Sequence, residues 1–172
     1  MNTKTRIGIY AGTFDPLHEG HLSFARAAVD RARLNRVYFL PEREPRLKPH
    51  ASAYKARVER LTDVLDGTVL RILELPDHAL TMQQTLPEIE QKFPGSYLTF
   101  LVGADVLQHM HAWPGIKQLC DSHELIVGVR TGFDHAKITQ SLQKLGLAGE
   151  RALIVHTDQA HISSTTIRSD LG

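Results

Sequence analysis

The run Arg6-Ile7-Gly8-Ile9-Tyr10-Ala11-Gly12-Thr13-Phe14-Asp15-Pro16-Leu17-His18-Glu19-Gly20-His21-Leu22 decides how the chain is read, because its character changes twice. Arg6 to Ala11 is short, mostly apolar and strand-like. From Leu22 onward, Leu22, Ala25, Val29 and Ala32 recur at steps of three and four, the spacing of one helix face. Gly12 to His21 must therefore turn a strand into a helix. That geometry sets the unpaired N–H groups of the helix N-terminus beside the strand's carboxyl end, a natural place for an anion. Gly12 lets backbone approach a ligand closely, and Thr13 adds a hydroxyl and an N–H.

Outward from this run the alternation continues. Strands are predicted over Arg6 to Ala11, Arg36 to Leu40, Val69 to Leu75, Tyr97 to Val102, Glu124 to Val129 and Ala152 to Thr157. Several are continuously apolar, as a sheet covered on both faces requires. Between them, Val58, Leu61 and Leu65, and then Met82, Leu86, Ile89 and Phe93, repeat at helical spacing. The fold class is therefore α/β: a doubly wound, mainly parallel sheet with helices on both faces. Ligands of such sheets bind beyond the carboxyl ends of the strands where the strand order reverses, and the first strand commonly borders that crevice.

With 172 residues the chain is expected to be one domain, 1–172, ending in a short helical segment from about residue 163. Hydrophobic residues make up 42% and charged residues 23%, which excludes a disordered or fibrous protein. Twenty Lys and Arg against 19 Asp and Glu give a net charge of +1, so no global field draws the chain to nucleic acid or to a membrane. Any anion site has to be local. Cys120 is the sole cysteine, which excludes an intrachain disulfide and any Cys-rich metal centre. No signal-peptide pattern precedes the first strand, and nowhere do about 18 apolar residues run together. A cytoplasmic protein is expected, and a homo-oligomer is compatible with the sequence.

The turn is neither a Walker A loop, since no Gly-Lys-Ser/Thr follows, nor GxGxxG, since Gly8 and Gly12 are wrongly spaced. His18 and His21, three apart at the start of the helix, can project to one side, towards whatever the turn holds. Zinc would need histidines four apart in HExxH and a third ligand, so no protein metal site is expected. At the other end of the chain, Ile162-Ser163-Ser164-Thr165-Thr166-Ile167-Arg168 offers N-capping hydroxyls, helix amides and, one turn later, a charged fork, a second set of groups suited to anionic oxygens.

Gly12 to Leu22 resembles the (H/T)xGH motif of a nucleotidylyltransferase superfamily built on a Rossmann-like sheet, in the form carried by bacterial nicotinate-nucleotide adenylyltransferases. Ile162 to Arg168 is similar to that superfamily's ISSTxIR element. The resemblance extends through the middle of the chain. Gly103-Ala104-Asp105 looks like its GxD element, Ile126 to Gly132 like its IVxxRxG segment, and Thr81, Thr85 and Leu86 like its Thr-x-x-x-Thr-Leu stretch. The resemblance implies transfer of AMP from ATP to nicotinate mononucleotide, with Mg²⁺ accompanying ATP and two small-molecule substrates as partners. It implies His18, His21 and Arg168 at the transition state. It implies Gly12, Thr13, Phe14, Gly103, Asp105, Ser163, Ser164 and Thr165 around ATP, and Thr85, Trp113 and Arg130 around the acceptor, with the indole of Trp113 able to stack on a pyridine ring.

Lys48, in the proline-rich loop from Pro41 to His50, and Arg57 on the following helix are the candidates for the acceptor's phosphate. The loop departs from the family's PxxxPPHK order, and Thr157 to His161 lacks the large apolar residue often found before ISST. An adenylyltransferase acting on another phosphorylated acceptor, such as phosphopantetheine, therefore stays open. So does a nucleotide-binding regulator without turnover.

Overall fold

The computed structural model describes residues 4–45, 48–65, 67, 69–76, 79–147 and 151–157. Among these are six strands, β1 (Arg6–Gly12), β2 (Arg36–Pro41), β3 (Leu70–Ile72), β4 (Tyr97–Gly103), β5 (Glu124–Arg130) and β6 (Ala152–Thr157). They alternate with helices α1 (Glu19–Ala32), α2 (Tyr54–Val64), α3 (Thr85–Lys92), α4 (Ala104–Met110), α5 (Ile116–Ser122) and α6 (His135–Lys144). The strands form one sheet in the order β3-β2-β1-β4-β5-β6, and every pairing is parallel. From β1 the chain winds outward through β2 to β3, then crosses back to lay β4 on the other side of β1. The strand order therefore reverses between β1 and β4, where this architecture places its crevice.

Side-chain alternation along the strands divides the core in two. Ile7, Ile9, Phe100, Leu125 and Val127 face one layer with Leu86, Ile89, Leu107, Leu119 and Ile138 of α3 to α6. Tyr10, Val37, Phe39, Leu101 and Ile126 face the other, with Leu22, Phe24, Ala25 and Ala28 of α1 and Leu61 of α2. Strands buried on both faces need this unbroken apolar character, and it is what the sequence shows. At Gly128 in β5 an added Cβ would lie 2.9 Å from the Phe24 ring, so the glycine lets α1 settle onto the sheet. Cys120 is buried in α5, where desolvation pushes its thiol up to about 11.

Three details differ from the sequence reading. The strand expected over Val69 to Leu75 stops at Ile72, because the next rung of the ladder would need an N–H at Pro41 of β2, which has none. The stripe on α2 runs through Arg57 and Leu61, with Val58 only half-buried. Helix α3 starts at Thr85, and Met82 is buried in the loop before it. The helical segment expected from residue 163 lies outside the described residues.

Candidate active site

Helix α1 begins at Glu19, so His18 is its N-cap and His21 lies in its first turn. Three residues of helix bring the imidazoles into register. The rings stack with centroids 3.7 Å apart and planes 28° from parallel. His21 Nδ1 accepts the backbone N–H of His18 at 3.3 Å, which leaves the proton of a neutral His21 ring on Nε2. His18 is 9% exposed; its ring takes the capping-box position over the His21 N–H, but neither buried ring nitrogen makes a hydrogen bond of full geometry among the described residues. A buried nitrogen left so costs about 1–3 kcal/mol, so such groups are normally met by protein, water or a bound ligand.

The electrostatics of the pair are those of an anion site. Burial, then the charges of Arg130 and Lys48, lower His18 to about 4. Burial, then His18, Arg130 and Lys48, lower His21 to about 3. Both rings are thus neutral near pH 7 and lie within the field of two cations, one from the end of β5 and one from the β2–α2 loop. Tyr10, whose ring centroid lies 6.2 Å from that of His21, has its hydroxyl raised by burial and by Asp105 and lowered by Arg130. Asp105 stands exposed in the first turn of α4. Its Oδ1 is so close to Gly103 that a Cβ there would come within 2.5 Å of it.

The fold therefore brings His18, His21, Lys48, Arg130, Gly103 and Asp105 to the carboxyl ends of β1, β4 and β5 and the adjoining β2–α2 loop. The other expected contacts stand as follows. Phe14 is 2% exposed with φ of 51°, and its ring packs against Tyr10, Phe39 and His21 at centroid distances of 5.2, 5.1 and 5.2 Å. Its side chain is core, and what it does for the site is to hold His21 from behind. Arg57 does not offer its guanidinium to a phosphate. Nη1 donates to Thr13 O at 2.8 Å, Nη2 to Glu42 O at 2.8 Å and Arg43 O at 3.2 Å, and Nε to Ser52 O at 2.9 Å. The Thr85 hydroxyl donates to Ala79 O at 2.8 Å and accepts from Thr81 N at 3.1 Å, so it ties down the loop before α3 rather than facing a ring. Gly12 ends β1, its carbonyl accepting from Glu42 N at 3.0 Å, and Thr13 is buried beside it. Trp113 is half-buried against the core of the α3 to α6 layer. Ser163, Ser164, Thr165 and Arg168 lie outside the described residues.

The family model described as cytidylyltransferase-like matches residues 9–170, from inside β1 to beyond the second motif. The chain belongs to this family. Among the relatives of this cytidylyltransferase-like chain is the probable nicotinate-nucleotide adenylyltransferase of Neisseria meningitidis serogroup B. It is 31% identical over 179 residues, covering 96% of this chain and 87% of that protein. One of the same name from Corynebacterium kroppenstedtii is 29% identical and covers 98% of this chain and 82% of its own. In fold, the chain is similar to the Plasmodium falciparum nicotinic acid mononucleotide adenylyltransferase complexed with NaAD, with a TM-score of 0.78 at 17% identity over 96% of this chain and 83% of that one.

Sequence reasoning missed Asp15 and Arg60. The Asp15 carboxylate is 4% exposed, accepts Ser52 N at 2.7 Å and meets Arg60 Nη1 at 3.3 Å, which ties the first motif to the loop before α2. The legible signal was on α2. Arg57 stands four residues before buried Leu61 and so on the buried stripe, where an arginine has to be hydrogen-bonded within the protein.

Proposed function

We propose that this family member is a cytoplasmic nicotinate-nucleotide adenylyltransferase, forming nicotinate adenine dinucleotide and pyrophosphate from ATP and nicotinate mononucleotide. The observation that carries the reading is the stacked, neutral imidazole pair, its His18 ring nitrogens buried and its charge state set within the field of Lys48 and Arg130, at the point where the strand order reverses. The named relatives supply the acceptor.

In this reading a phosphate oxygen of the mononucleotide attacks the α-phosphorus of ATP in line, and the bond to the α–β bridging oxygen breaks. The attacking oxygen is already ionised near neutral pH, so no side-chain nucleophile is required. The protein has to align two anions and meet the charge that grows on the α-phosphoryl and leaving oxygens. Neutral imidazoles can donate N–H to those oxygens. Lys48 and Arg130 add positive charge nearby, and Arg168 with the hydroxyls of Ser163, Ser164 and Thr165 would join from the second motif. Trp113 would stack on the pyridine ring.

Among the described residues no three His, Cys, Asp or Glu side chains converge, so Mg²⁺ would be held chiefly by nucleotide phosphate oxygens and water, with Asp105 the rim carboxylate suited to it. When bound, it would offset phosphate charge.

Incubating the protein with MgATP and separate acceptors, while following pyrophosphate and identifying the dinucleotide, tests the proposal. Turnover with nicotinate mononucleotide is expected. Turnover with phosphopantetheine alone would move the activity to a different acceptor, and tight ATP binding without product would leave a regulator.

A further inference from the structure

Four of the five N–H donors of the buried Arg57 guanidinium are bound to backbone carbonyls from three separate segments. Thr13 follows β1 in the first motif, Glu42 and Arg43 follow β2, and Ser52 precedes α2. The most distant of them, Thr13, lies 44 residues from Arg57 in sequence, and the three segments meet at one planar group. Arg57 is 1% exposed, so the arrangement is a closed core of polar bonds rather than a surface contact. A helix stripe would ordinarily put an aliphatic side chain at this position, four residues before Leu61.

The surroundings hold the fork in place. Tyr54 lies against it, with the Arg57 Cζ 5.7 Å from the ring centroid and the Arg43 Cζ 4.2 Å from the same ring. Arg43 Nε donates to Leu75 O at 2.9 Å, and the Tyr54 hydroxyl is 3.0 Å from Glu74 Oε2. Two further bonds cross the same junction: Glu42 N to Gly12 O at 3.0 Å and Ser52 N to Asp15 Oδ2 at 2.7 Å.

The two loops joined here are the ones that carry site residues, Gly12 to His18 on one side and Lys48 on the other. We infer that Arg57 is a positioning residue: its guanidinium fixes the phosphate-facing turn after β1 and the Lys48 loop after β2 as one unit, setting the distance between the imidazole pair and the cation that flanks it. The inference rests on the proposed transfer reaction for its kinetic consequence, but its structural content stands apart from it. A planar fork is needed because the carbonyls lie in different directions around one centre. A lysine ammonium offers three donors from a single nitrogen on a flexible stem and cannot span them.

The test uses Arg57→Lys in the full chain, with two readouts. Hydrogen exchange followed by mass spectrometry should show faster exchange, by about tenfold or more, in peptides covering 12–18 and 48–54 together, while peptides from β4 and β5 keep wild-type rates. Assayed per folded molecule, kcat with nicotinate mononucleotide should fall and its KM rise, with a combined loss of up to about 10²-fold, the scale of an ångström of misplacement.

Exchange that rises evenly over the sheet, or wild-type kcat and KM in the folded variant, would reduce Arg57 to an ordinary core residue. A wild-type protein that turns over no mononucleotide, with the paired local exchange intact, would remove the proposed function and leave the coupling standing. If Arg57→Lys does not fold, native-state exchange of the wild type in low urea decides. Amides of the two loops that share one opening free energy uphold the coupling, and separate openings overturn it.

Discussion

Acidification should destabilise this protein through its histidine pair, and the size of the effect can be worked from the burial of the two rings. In an unfolded chain each imidazole titrates near 6.5. In the folded site His18 titrates at about 4, chiefly because it is desolvated and then because Arg130 and Lys48 are near; His21 titrates at about 3 for the same reasons, with His18 added. Above pH 6.5 both rings are neutral whether the chain is folded or not, and they add no pH dependence. As pH falls from 6.5 towards 4 the unfolded chain binds two protons that the folded chain does not, so stability falls; below about 4 the folded rings begin to protonate and the loss levels off.

Each unit is worth about 1.4 kcal/mol per histidine, so at pH 5 the loss is about 2 kcal/mol per ring and about 4 kcal/mol for both. Rings that turn towards water as they charge would bring this down to about 2 kcal/mol in all. Urea unfolding at about pH 7.5 and about pH 5, compared between the wild type and a His18→Asn/His21→Asn double variant, isolates the pair, since every other titrating group is common to both. The wild type should lose about 2–4 kcal/mol more than the variant over this interval. Equal losses would show that the rings are not held neutral by burial, and the anion-site argument would lose its electrostatic basis.

Replacing His18 or His21 singly with Ala should lower turnover by roughly 10² while the fold survives, the effect of removing one preorganised donor, and steady-state pyrophosphate release with a circular dichroism check measures it. Trp113→Ala should raise KM for the mononucleotide more than KM for ATP; equal increases would mean that the half-buried indole serves only the α3 to α6 core. Gly128→Ala should cost about 1–3 kcal/mol in urea unfolding, because the new methyl carbon meets the Phe24 ring at 2.9 Å and α1 must shift to admit it.

Much of the architecture was legible because its signals are local. The apolar runs of β1, β4 and β5 report a sheet covered twice, and the turn at Gly12 reports a helix N-terminus aimed at a strand end. Strand β3 shows the limit of local reading. Strand-like apolar residues recur through Leu75 despite Arg71 and Glu74, but its length is set by a missing N–H on Pro41 of the neighbouring strand, a non-local fact. The histidine pair was legible from spacing alone. Its neutrality was not, because that depends on burial under the turn and on Arg130, which is more than 100 residues away in sequence. Phe14, Thr85 and Arg57 make structural contacts that could not be read from sequence for one shared reason: a motif names positions, while the contacts of each side chain depend on which backbone groups need a partner there. The Phe14 ring packs in the core, the Thr85 hydroxyl pins a loop, and the Arg57 fork gathers four carbonyls.

The central claim is that the imidazole pair, flanked by Lys48 and Arg130, receives the phosphates of ATP at the β1–β4 reversal. A crystal structure with a non-hydrolysable ATP analogue and nicotinate mononucleotide measures it directly. The account predicts α-phosphate oxygens within hydrogen-bond distance of the ring nitrogens of His18 or His21, with the pyridine ring against Trp113. A triphosphate bound away from both histidines would contradict it.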